Sequence, residues 1–118
     1  MYTNRDFIEI SKIIRSFIPR TKEIILFGSY AREQAKEESD ADIAVIVEKK
    51  FDRKEKLLAL GKAWNALARR GYHVDIVIKT VDEFDMDKDI PVTLSHTIYH
   101  EGKCLWKANA SLKSSVNG

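Results

Sequence analysis

The chain has 118 residues, 44% hydrophobic and 32% charged, and its 20 Lys and Arg against 18 Asp and Glu leave a net charge of +2. This is the composition of a globular domain, which excludes a disordered or fibrous chain, and acids that nearly match bases argue against direct nucleic-acid binding as the main role. No apolar run nears the ~18 residues of a membrane span, the polar opening Met1-Tyr2-Thr3-Asn4-Arg5-Asp6 is not that of a signal peptide, and a single cysteine, Cys104, excludes an internal disulfide and suits the cytoplasm.

In chain order, residues 3–18 predict an amphipathic helix capped by Thr3 or Asn4. Phe7, Ile10, Ile14 and Phe17 form its stripe and Pro19 its stop. The run Glu23 to Phe27 predicts a buried strand that ends at Gly28, and Ser29 to about Glu37 a short charged helix. A second strand is expected over Ala41 to Val47. Residues 53–70 predict a long helix with Leu57, Leu60, Trp64, Leu67 and Ala68 on its buried stripe and Gly71 at its end. His73 to Ile78 is the third expected strand. Val81 to Asp87 and Pro91 to His100 suggest short helices, and Lys103 to Trp106 a final extended piece. The order α-β-α-β-α-β-α implies an α/β chain, α+β-like, with a small sheet of about three strands and helices packed on it. One domain is expected over residues 1–107, followed by a mobile tail at 108–118.

The informative region is Gly28-Ser29-Tyr30-Ala31-Arg32-Glu33, followed by Ser39-Asp40-Ala41-Asp42 at the head of the second strand. Side chains alternate along a strand, so Asp40 and Asp42 project to one side with Ala44 and Ile46. On the third strand Asp75 shares a side with Val77. Aspartates inside β-branched runs are costly to bury without a partner. A divalent cation is such a partner: Mg²⁺ takes carboxylate oxygens and keeps positions open for water and phosphates. Three carboxylates at this spacing can hold two ions ~3.5–4 Å apart across an in-line displacement. Gly28 lets backbone approach a phosphate, Ser29 offers a hydroxyl, and the helix start adds amide donors. Taken singly, each element has a plainer reading: Asp-x-Asp as a turn or cap, Asp75 as an edge residue facing water. Their combination points to a nucleotide-phosphate and metal site.

Gly28-Ser29, ten further residues, then Asp40 and Asp42 resemble the signature of the DNA polymerase beta-like nucleotidyltransferase superfamily. The small size and Gly28-Ser29-Tyr30-Ala31-Arg32 look like its minimal (MNT) branch, which includes antitoxins encoded beside HEPN-domain toxins. The resemblance covers about Lys22 to Lys79, and Tyr99-His100-Glu101-Gly102-Lys103 also fits that branch. It implies a nucleotidyltransferase fold, with Asp40 and Asp42 bridging two Mg²⁺ ions. Asp75 would ligate the catalytic one and help deprotonate the attacking hydroxyl, and Gly28 and Ser29 would hold phosphates of ATP. Arg32 would add a contact to phosphate or to a partner, or else stand in solvent. One departure is Glu33, where many members carry glycine; its carboxylate would either weaken nucleotide binding or point to water.

The resemblance implies transfer of AMP from ATP to a tyrosine hydroxyl of a cognate HEPN toxin. The toxin's own signature, Arg then four to six residues then His, is absent from this chain. Two alternatives are a non-catalytic module that neutralises a toxin by covering it, and a transferase acting on a small molecule. His96 and His100, four apart, lack a third ligand with a recognisable zinc motif. Trp64 reads as core, and Cys104 as buried and inert.

Overall fold

The computed structural model describes residues 1–108. Helix α1 (Asn4–Phe17) starts at a capping box, with Thr3 and Asp6 each accepting from the other's backbone N–H. After strand β1 (Thr21–Phe27) comes the single turn α2 (Gly28–Ala31), and then strand β2 (Ala41–Val47). Helix α3 (Arg53–Arg69), capped by Asp52, leads to β3 (Val74–Thr80). Helices α4 (Val81–Asp87) and α5 (Leu94–Glu101), each capped by a threonine, precede strand β4 (Lys103–Lys107).

The sheet order is β3-β2-β1-β4, with β2 parallel to β3 and β1 antiparallel to both its neighbours. Among the described residues it therefore has four strands, where the sequence suggests about three: the final extended piece pairs with β1 as an edge. Parallel pairing of β2 and β3 follows from α3, since a crossover helix returns the chain to the same end of the sheet. One sheet face carries Ile24, Leu26, Ile43, Val45, Val47, Val74 and Ile76 and is covered by α1 and α3. The opposite face carries Ile25, Phe27, Ala44 and Ile46 beneath Phe84 of α4 and Ile98 of α5. Asp42 and Asp75 have the parity of this second face, at the end where its apolar cover stops.

Some expectations need correction. The helix expected from Ser29 to about Glu37 is one turn long, because Glu33 takes a left-handed conformation at φ 59° and breaks it. The buried stripe of α3 is Ala59, Leu60, Ala63 and Leu67, while Leu57 is exposed and Trp64 is 41% exposed. Trp64 donates its indole N–H to the Val74 carbonyl at 3.1 Å. Phe17 is partly exposed, and Ile18, just past the end of α1, fills the place expected of it. The helix expected from Pro91 begins at Leu94, after Thr93. Cys104 is exposed on the edge strand, yet burial of part of the thiol and the nearby Glu23 carboxylate raise its pKa, which disfavours the reactive thiolate. The tail expected to be mobile lies, from residue 109 on, outside the described residues.

Candidate active site

Phe27, Asp42 and Asp75 form one row across three strands: Phe27 pairs with Asp42 in the antiparallel register, and Asp42 with Asp75 in the parallel one. Adjacent strands lie ~4.8 Å apart, so the two aspartates start from neighbouring backbone positions on the same face. Asp40 sits one residue before β2 and is exposed. Its charge still reaches Asp42, whose pKa is raised by burial first, then by Asp75 and Asp40, and is partly offset by Arg32. The three carboxylates thus lie toward one end of the sheet, and Arg32 opposes their charge at Asp42.

Gly28 follows Phe27 and faces Asp42. Its φ of 74° lies in the region that favours glycine, and a Cβ built there would collide with the Asp42 carboxylate. The glycine of the Gly-Ser turn is required twice over, by its backbone angle and by the aspartate beside it. Ser29 is half-buried, and its carbonyl accepts from the Gln34 N–H at 2.8 Å, closing the turn.

Arg32, just past α2, forms an ion pair with Glu101 at 3.0 Å. The same Glu101 oxygen, Oε1, accepts from the Gly28 N–H at 3.3 Å. Glu101 is the contact that sequence reasoning did not assign; the only signal was its place in the stretch Tyr99-His100-Glu101-Gly102-Lys103. The Glu33 side chain is 83% exposed and lies 3.5 Å from Lys103. The His96 and His100 rings lie 4.1 Å apart on α5.

The donor set at the sheet end is all carboxylate oxygen, the chemistry of a hard divalent ion. Among the described residues, no three His, Cys, Asp or Glu close around one point tightly enough to form a complete metal cage. Mg²⁺ does not ask for one: it binds through one or two carboxylates, waters and substrate phosphates. Burial, then the charges of Asp75 and Asp40, disfavour the Asp42 carboxylate, and a bound cation would favour it, so the residues fit the ion.

A family model described as a nucleotidyltransferase domain matches residues 8–100. The chain belongs to that family. A relative from Methanocaldococcus jannaschii, an inferred protein adenylyltransferase, is 31% identical over 87 residues, which is 74% of this chain and 80% of its own. Among solved structures, a toxin–antitoxin complex with AMP-PNP aligns at a TM-score of 0.59 and 24% identity, over 92% of this chain and 78% of the matched one. A Shewanella oneidensis complex of a tri-AMPylated HEPN toxin with an MNT antitoxin aligns at 0.55 and 22% identity, over 94% and 78%. At these identities the solved structures establish a shared fold. This protein is a nucleotidyltransferase enzyme with a mixed four-stranded sheet, and among its described residues no helix is long and apolar enough to cross a membrane.

Proposed function

We propose that this nucleotidyltransferase uses Mg²⁺, two ions in the working complex, and transfers AMP from ATP to a tyrosine hydroxyl of a cognate HEPN toxin, acting as its antitoxin in the cytoplasm. The observation that carries the site assignment is the Asp42–Asp75 pair in register, with Asp42 against Gly28 at the uncovered end of the sheet. Asp40, Asp42 and Asp75 are the metal and catalytic residues of this reading, and Gly28, Ser29 and Arg32 its phosphate contacts.

The reaction forms one bond and breaks one. The tyrosine oxygen attacks the α-phosphorus of ATP, the bond from that phosphorus to the β-bridging oxygen breaks, and pyrophosphate leaves. The hydroxyl proton passes to a carboxylate oxygen of Asp75. When bound, the metal ions supply charge stabilisation on the attacking and leaving oxygens. Gly28 lets the backbone of the turn come close to the phosphates, Ser29 brings its hydroxyl, and Arg32 offers a charge-assisted hydrogen bond to the same group. Asp40 and Asp75 are both exposed, so the reacting end of the sheet is an open shelf. An acceptor carried on a protein surface reaches such a shelf without an enclosing pocket. The toxin complexes among the structural neighbours, one with AMP-PNP and one with a tri-AMPylated toxin, support the choice of donor and partner.

The test is to incubate the protein with labelled ATP, Mg²⁺ and a HEPN protein encoded beside it. Label on the HEPN protein, lost when its tyrosine is replaced by phenylalanine, is the expected result. Label on a small molecule or nucleic acid instead would assign a different acceptor.

A further inference from the structure

Two donors at the Gly-Ser turn share one acceptor atom inside the protein. Gly28 N–H and Arg32 Nη1 both donate to Glu101 Oε1, at 3.3 and 3.0 Å. The partners are 73 and 69 positions apart in sequence. Glu101 is the last residue of α5, where its charge faces the negative end of the helix dipole. Helix stability alone would put a cation there, so the carboxylate answers to the two donors.

The reach depends on Gly102. A Cβ at that position would collide with the Ile98 carbonyl and with a methyl of Ile25, so only glycine lets α5 end tight against β1 before the chain turns into β4. Ile98 is fully buried beneath the sheet and anchors the helix. Glu101 therefore extends from a fixed base, and its side chain is only 28% exposed.

Arg32 has two anionic choices. One is Glu101; the other is the cluster of Asp40, Asp42 and Asp75, close enough that Arg32 opposes the rise in the Asp42 pKa. A guanidinium that settled among those carboxylates would take the place of a metal ion. We propose that Glu101 is a positioning residue: it orients the Gly28 peptide and holds Arg32 beside the Gly-Ser turn, off the aspartates, so that ATP meets a preset cradle. The inference rests on the reading of this turn as the triphosphate site.

The test compares wild type with Glu101→Gln and Glu101→Ala. MgATP is titrated against the Gly28 and Arg32 amide resonances, and steady-state transfer gives KM and kcat. Glutamine keeps an oxygen acceptor for both donors, so its KM for ATP should stay within about threefold of wild type, and the Gly28 resonance should stay in place. Alanine should move that resonance and raise the KM for ATP about tenfold or more, as displaced positioning groups do. Should Glu101→Ala fail to fold, Glu101→Asp, one methylene too short to bridge both donors, carries the same expectation. A lower KM in the alanine variant would mean that the carboxylate competes with phosphate, and would overturn the proposal. So would equal MgATP affinity in all variants. If wild type itself binds no MgATP, the reading of the turn as a phosphate site fails, and this inference falls with it.

Discussion

Gly28 leaves open the space that the Asp42 carboxylate fills. An alanine there meets a left-handed backbone, costing ~1–2 kcal/mol, and a collision as well. Gly71 supplies the control, since its φ of 82° is similar but nothing lies within 4 Å of a Cβ built on it. Gly71→Ala should lower the melting temperature by only the backbone cost and keep nucleotide transfer. Gly28→Ala should melt lower still and lose transfer by more than about tenfold, because the aspartate is displaced. Equal transfer rates in the two variants would separate Gly28 from the site.

Asp42→Asn should lower transfer about a thousandfold, ~4 kcal/mol of activation free energy, through loss of one anionic ligand. Its effect on stability runs the other way. The Asp42 pKa is raised in the fold, so the folded protein holds this proton more tightly than the unfolded chain. Stability is then lost as pH rises from the ordinary carboxylate range through the raised value. In EDTA the asparagine variant should melt above wild type at neutral pH, and the gap should close as pH falls below about 4. Thermal melts across that range read it directly; a gap that widens in acid would contradict the assigned cause.

Glu33 occupies a left-handed position with a side chain that points to solvent and Lys103. Glu33→Gly should stabilise the protein. Relief of ~1–2 kcal/mol of backbone strain exceeds the entropy cost of glycine, ~0.5–1 kcal/mol, and the melting temperature should rise by about 2–4 °C. The KM for ATP should not change, since the carboxylate stands in solvent beside Lys103. A higher affinity for ATP in the glycine variant would show that Glu33 does reach the phosphates.

Glu83 closes the capping box of α4 by accepting from the Thr80 N–H at 2.9 Å, and that bond lowers its pKa. A lowered carboxylate contributes stability above its unfolded pKa and loses it as pH falls through the folded value. Glu83→Gln should therefore be less stable than wild type at neutral pH, by a margin that shrinks in acid. Thr80→Ala should cost about 1 kcal/mol, seen in the same melts.

The sequence carries the paired aspartates because strand parity is local: β-branched runs around Asp42 and Asp75 fix which way each points, and the parallel register then aligns them. The helix cap at Thr3 is local in the same way. What escaped was decided at long range or by competition between neighbours. In α3, small Ala59 and Ala63 face the sheet and α1, and the bulkier Leu57 and Trp64 turn outward, so the largest residues misreport the buried face. Strand β4 pairs Lys103, Cys104, Trp106 and Lys107 with β1. Its lysines suit an edge that must resist further pairing, and they weaken the strand signal. The bond from the Gly28 N–H to Glu101 spans 73 positions of sequence, and no local pattern encodes it.

Intact mass of the HEPN partner after incubation with ATP and Mg²⁺ tests the central claim most directly. With wild-type protein the partner should gain the mass of one or more AMP groups and remain inactive after the nucleotidyltransferase is removed, because a covalent ester does not depend on occupancy. With Asp42→Asn its mass should be unchanged. A partner of unaltered mass that recovers activity on dissociation, and is protected equally well by Asp42→Asn at matched affinity, would contradict catalysis and leave a protein that acts by covering its target.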